Sequence, residues 1–151
     1  MKSFVIFPEV IIGYIIFLYV IYKFIRNKAP WQLIVLGIFI LLCVVGRHMQ
    51  YYYEFPRILR FYLADLSAVP MFVPFVMFGN WYVYKKTEYY KKDIFNNSFL
   101  SLIVWSFYEM YVSTETPDIY DFVAYSIGFI ITIAIAFTLK EKKNYMEYIT
   151  N

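Results

Sequence analysis

The chain alternates long apolar blocks with short polar breaks. The blocks fall at 4–22, 31–47, 61–84, 95–112 and 118–139. Crossing the hydrocarbon core of a bilayer takes about 20 helical residues, and these lengths predict five transmembrane helices in a single domain over 1–151. The second block is the shortest, and it spans only by carrying Gly46 and Arg47 to the membrane surface. The first block has no small-x-small cleavage site and a long aromatic-rich core, so it is expected to be a retained helix. Pro8 and Glu9 suit its first turns, where proline is tolerated and a carboxylate meets the positive helix end.

The breaks carry their own signals. His48 to Pro56, with three consecutive tyrosines, reads as a segment lying in the headgroup layer. Pro70 and Pro74 are expected to disturb the third helix and free backbone carbonyls. Thr116 and Pro117 suit the N-cap and first residue of the fifth helix.

Composition sharpens this picture. Hydrophobic residues make up 62% of the 151 positions and charged residues 17%, against about 45–50% and about 25% in soluble domains. The 17 Tyr and 16 Phe suit an interface where rings are apolar and hydroxyls wet. The net charge of +3 comes with no RNA- or DNA-binding motif, so nucleic acid is not an expected partner. Cys43 is the lone cysteine and His48 the lone histidine, which excludes an internal disulfide and a Cys/His zinc site within one chain.

The basic residues set an orientation. Ten Lys and Arg lie in the first loop, third loop and C-terminal tail, and four lie in the N-terminal tail, second loop and fourth loop. The positive-inside rule then places the N-terminus outside and the C-terminus in the cytoplasm. In that topology Glu9, Arg47, Arg57, Arg60, Asp65, Glu109, Glu115, Asp118 and Asp121 share the outer side. Acids on three separate helices reach similar depth, and intramembrane acids are costly enough to need a reason.

Asp118 and Asp121 are spaced for one helix face, which Tyr125, Gly128 and Thr132 continue. Asp65 and Glu109 approach from neighbouring helices, and Arg57 or Arg60 can neutralise part of the charge. Two readings follow. One is an ion-pair network that holds helices together. The other is an outward-facing site built from Asp65, Glu109, Asp118, Asp121, Arg57, Arg60 and Tyr125 that binds a lipid headgroup, a cell-wall precursor or a cation. A divalent cation is the one cofactor that Asp65, Glu109 and Asp121 suit, as a hard ion with oxygen ligands; arginines in the same site favour a phosphate-bearing group, held in bidentate fashion. With one His and no phosphate-cradling glycine loop, no catalytic set is expected. Ser98, Ser101 and Ser106 read as helix-packing residues.

A longer pattern accompanies these residues. It comprises Tyr62-Leu63-Ala64-Asp65-Leu66 with Pro70, then Phe107-Tyr108-Glu109, then Thr116-Pro117-Asp118-Ile119-Tyr120-Asp121-Phe122-Val123-Ala124-Tyr125-Ser126-Ile127-Gly128. Over roughly residues 57–139 the chain resembles a family of small bacterial multispanning membrane proteins. Its closing helix is similar to the last helix of VanZ-like proteins, with Ala124-Tyr125 where those more typically carry a small residue and Asn. The resemblance implies an envelope protein of the bacterial inner membrane whose outer-leaflet polar residues carry the function; VanZ-like proteins are linked with resistance to lipoglycopeptide-type antibiotics. The expectation is therefore a non-enzymatic, all-α polytopic bundle with membrane lipids as its surroundings. The alternatives are a small ion-coupled transporter and an accessory subunit. The transporter would need α-helical breaks at Pro70 and Pro74 and an aqueous path on both sides. The chain's small size is compatible with a homo-oligomer or a larger membrane complex.

Overall fold

The computed structural model describes residues 8–27, 29–50, 56–84, 91–111 and 118–139, with side chains placed at all of these except 9, 10, 57–61, 81 and 84. The described residues form five helices: α1 (Pro8–Arg26), α2 (Trp31–Met49), α3 (Arg57–Tyr84), α4 (Lys91–Tyr111) and α5 (Ile119–Phe137). All regular structure among them is helical. Three stretches, Trp31–Met49, Tyr62–Asn80 and Ile119–Phe137, are long and apolar enough to cross a membrane.

The helix limits follow local chemistry. Pro8 opens α1, where its missing N–H has no acceptor to serve. The Asn27 amide and side chain both donate to the Lys23 carbonyl, at 3.0 and 2.8 Å, and close the helix. Pro30 then caps α2 with an extended backbone. The headgroup segment expected at 48–56 is shorter than drawn: α2 continues through His48 and Met49, and α3 begins at Arg57. The cause at one end is a regular turn, with the Gln50 amide donating to the Gly46 carbonyl at 3.3 Å. Residues 51–55 lie outside the described set. α4 starts four residues before its apolar block, at Lys91, because Asp93 in its first turn meets the positive helix end.

The N-cap of α5 is Asp118 rather than Thr116, and the helix begins at Ile119 rather than Pro117. The Asp118 side chain accepts from the Tyr120 amide at 3.1 Å, and the Asp121 side chain accepts from the Asp118 amide at 3.2 Å. This reciprocal capping satisfies donors that an uncapped helix leaves orphaned. Thr116 and Pro117 themselves lie outside the described residues.

The helices run up and down. Asp65 near the start of α3 faces Arg47 near the end of α2, and Met77 near the end of α3 meets Asn97 near the start of α4. Tyr125 early in α5 reaches Glu109 late in α4. α3 is central, packed against α2, α4 and α5, while α1 leans mainly on α2. One apolar core joins Val20, Phe24, Leu33, Leu36, Val73 and Ile94; a second joins Ala68, Val69 and Tyr125. α3 stays helical through the buried Pro70 and Pro74.

Ser67, Ser98, Ser101 and Thr132 are all 0% exposed, while Ile119 is 72% and Phe137 73% exposed. Ser67, Ser98 and Thr132 donate to the carbonyls four residues earlier, at Leu63, Ile94 and Gly128, so their hydroxyls are satisfied within their own helices. Small and hydroxylated residues thus share the helix contacts with Phe24, Leu33 and Leu36, while many other large apolar side chains face outward, as helix packing in lipid favours.

Two close backbone approaches fix the register around α3. A Cβ on Gly46 of α2 would lie 2.7 Å from the Ala64 amide nitrogen. A Cβ on Gly128 of α5 would collide with the Leu66 carbonyl oxygen and lie 3.1 Å from Pro70 Cδ. The Leu66 carbonyl has no helical donor, because the residue four positions on is Pro70, which has no N–H. α5 therefore crosses α3 at the carbonyl that proline releases.

Candidate functional site

Gly46 and Gly128 bring α2 and α5 against the same segment of α3, residues 64–70. Asp65 lies in that segment and is 9% exposed. Arg47, the residue after Gly46, brings its Nη2 to 3.9 Å from Asp65 Oδ1. That separation is an ion pair but is too long for a hydrogen bond. The Arg47 side chain remains 54% exposed, against 12% for that of Asp65. The pair is thus asymmetric, with a covered carboxylate and a half-exposed arginine side chain.

On the other flank of α3, Tyr125 is 1% exposed and its hydroxyl donates to Glu109 Oε2 at 3.2 Å. The Tyr125 ring packs on Trp105, with centroids 6.4 Å apart. Arg47 is near enough to attract the Asp65 charge, and Asp121 and Glu109 are near enough to repel it. Side chains from α2, α3, α4 and α5 thereby meet at one end of the bundle.

One turn and two turns before Glu109 on α4 are Trp105 and Ser101, on the same helix face. Trp105 Nε1 and Ser101 Oγ are buried with no hydrogen-bond partner among the described residues. Buried polar atoms are normally paired, so hydrogen-bonding capacity remains unused beneath the Tyr125–Glu109 pair.

The structure sorts the expected site residues. Asp65, Glu109 and Tyr125 converge, with Asp121 close enough to act on Asp65 electrostatically. Asp118 is exposed and is occupied by capping α5 and by Tyr62, whose hydroxyl lies 3.5 Å from Asp118 Oδ2. Arg57 and Arg60 sit in the first turn of α3 at the same end, and their side chains lie outside the described set. Glu115 and Ser113, and the side chain of Glu9, also lie outside it. Among the described residues no three of Asp, Glu, His and Cys are gathered closely enough to hold one metal ion.

Arg47 is the member that the site set drawn from sequence leaves out. Its signal was the Gly46-Arg47 pair: a glycine that lets two helices touch puts the next residue beside the neighbour's backbone. Trp105 belongs with it, spaced four residues before Glu109 on a stripe of serines.

Comparison with protein-family models, curated proteins and solved structures yields no match.

Proposed function

We propose that the chain is a non-enzymatic envelope protein of the bacterial inner membrane, crossing the bilayer five times with its N-terminus outside. In this reading the Arg47–Asp65–Glu109–Tyr125 cluster is an outward-facing site for a phosphate-bearing polar group, a lipid headgroup or a lipid-linked cell-wall precursor. The observation that carries it is the open ion pair. A network serving only to hold helices would close its charges on one another, because each unpaired charge at the edge of a membrane is costly. Here Arg47 is half-exposed and stands 3.9 Å from Asp65, which leaves guanidinium donors for a bidentate contact with phosphate. The acids behind it supply acceptors for an amine or hydroxyl. The unused Trp105 Nε1 and Ser101 Oγ lie one and two turns deeper on the same face of α4. The resemblance over 57–139 to small bacterial multispanning proteins includes Asp65, Glu109 and Tyr125 of this cluster.

The test is native mass spectrometry of the gently solubilised protein, comparing wild type with Arg47→Gln and with Asp65→Asn/Asp121→Asn. A phosphate-bearing adduct is expected on wild type and absent from Arg47→Gln. Bare spectra for all three proteins, with the variants only less stable, would reduce the cluster to a structural network.

A further inference from the structure

At the opposite end of the bundle a groove of about 270 Å³ opens between the start of α4 and the end of α5. Phe95, Ile133, Ala136 and Phe137 line it, with Lys91 and Lys92 at its mouth. Its shape has a local cause. Ala136, 4% exposed, is small and buried, and the large rings of Phe95 and Phe137, 48% and 73% exposed, stand out on either side. Phe95 is braced against Phe129 at 6.1 Å and against Phe99 at 6.5 Å, so this wall is packed in place. The volume falls just below the range of about 300–1,000 Å³ typical of small-molecule sites.

The groove joins two chemistries, an apolar wall and a basic mouth. Its walls are apolar and open to the side, where lipid surrounds a membrane-spanning α4 and α5. Its mouth carries two adjacent lysines, Lys92 exposed and Lys91 half-buried, and Lys85 and Lys86 precede them in sequence. Lysine stems run along apolar surface while the ammonium reaches the headgroup layer, and basic residues at that depth attract anionic lipids.

We propose that this groove is a specific site for one anionic phospholipid, with an acyl chain between Phe95 and Phe137 over Ala136 and the headgroup phosphate held by Lys91 and Lys92. The occupant is a lipid rather than a peptide because the recess faces the hydrocarbon and, among the described residues, its charged lining is positive. The site rests on α4 and α5 spanning the bilayer, and it is independent of the Arg47–Asp65 cluster at the other end.

The experiment is electron spin resonance on the full chain in phosphatidylcholine vesicles, with spin-labelled phosphatidylglycerol or phosphatidylcholine as the probe. Each basic residue near an anionic headgroup contributes ~1 kcal/mol, so two lysines give about thirtyfold preference for phosphatidylglycerol at one site per chain. Lys91→Gln/Lys92→Gln is expected to equalise the two lipids. Phe137→Ala, at a position too exposed to govern folding, is expected to weaken phosphatidylglycerol association while keeping the preference. Equal association of both lipids with wild type overturns the site. So does a preference that survives the double lysine variant, or an unchanged signal in Phe137→Ala.

Discussion

At Gly128 the α5 backbone meets the Leu66 carbonyl that Pro70 leaves without a helical donor, and this contact decides how close α5 can come to α3. A methyl group there must push two helix backbones apart, since neither a carbonyl nor a proline ring can rotate away. Gly128→Ala is expected to destabilise the fold by about 1–3 kcal/mol, the usual range for overpacking. Gly79 gives the internal control: it lies in the same bundle, on α3, and a Cβ there meets nothing within 4 Å. Gly79→Ala is expected to be stabilising by roughly 0.5–1 kcal/mol, because it removes backbone freedom from the unfolded chain at no steric cost. Thermal unfolding of both variants in one detergent should therefore shift in opposite directions; shifts of the same sign would mean that the α3–α5 crossing is looser than described. The face carrying Tyr125, Gly128 and Thr132 was legible in the sequence from helical spacing alone, and all three are buried. Arg47 as the partner of Asp65 was not. The pair spans two helices, and its register comes from Gly46 touching Ala64, a contact that no spacing rule along one segment contains.

At the scale of the element, α5 shows one acid pair with two claims on it. Spacing marked Asp118 and Asp121 as neighbours on a face that could bind a ligand. The structure gives them a local duty first, since each accepts from a backbone amide at the start of the helix. If capping is the main role of Asp118, Asp118→Ala should lower stability by about 0.5–2 kcal/mol, and Asp118→Asn, which keeps the acceptor, should leave it near wild type. Neither should affect ligand retention as strongly as Arg47→Gln. A large loss of ligand in Asp118→Asn with unchanged stability would return Asp118 to the binding site. The five helices were legible because apolar runs of span length leave little choice of secondary structure. Their ends were legible only to within a few residues, because caps compete locally: Thr116 and Asp118 are both N-cap types, and Asp118 is favoured by its type and by Asp121 lying three residues after it. For α3, sequence marked Pro70 and Pro74 as sources of free carbonyls but could not say what meets them. For Leu66 the answer is Gly128, a residue of another helix.

At the scale of the molecule, the two ends of the bundle differ in charge type. Asp65, Glu109, Asp118 and Asp121 gather at one end with Arg47, Arg57 and Arg60, while Lys23, Arg26, Lys91 and Lys92 occupy the other with Asp93. In the orientation proposed above, the lysine-rich end is the cytoplasmic one. The helix on which the matter turns is α4. Its sequence is more polar than that of the three helices long and apolar enough to span, yet Phe99, Leu100, Ile103, Val104 and Phe107 cover its outer face and Ser98 and Ser101 its buried one. A helix that hides serines and exposes phenylalanines is stable only where its surroundings are less polar than its neighbours. Single cysteines at Thr87 and Ser113, in a Cys43→Ala background, flank α4 and test the point directly. A membrane-impermeant thiol reagent applied to intact cells should label Ser113→Cys and spare Thr87→Cys, which should react only after the membrane is opened. Labelling of both from one side would mean that α4 does not cross, and the lipid groove beside Phe95 would lose its surroundings. Labelling of Thr87→Cys alone would keep the crossing but turn the Arg47–Asp65 cluster toward the cytoplasm, where a lipid-linked cell-wall precursor could meet it only before export.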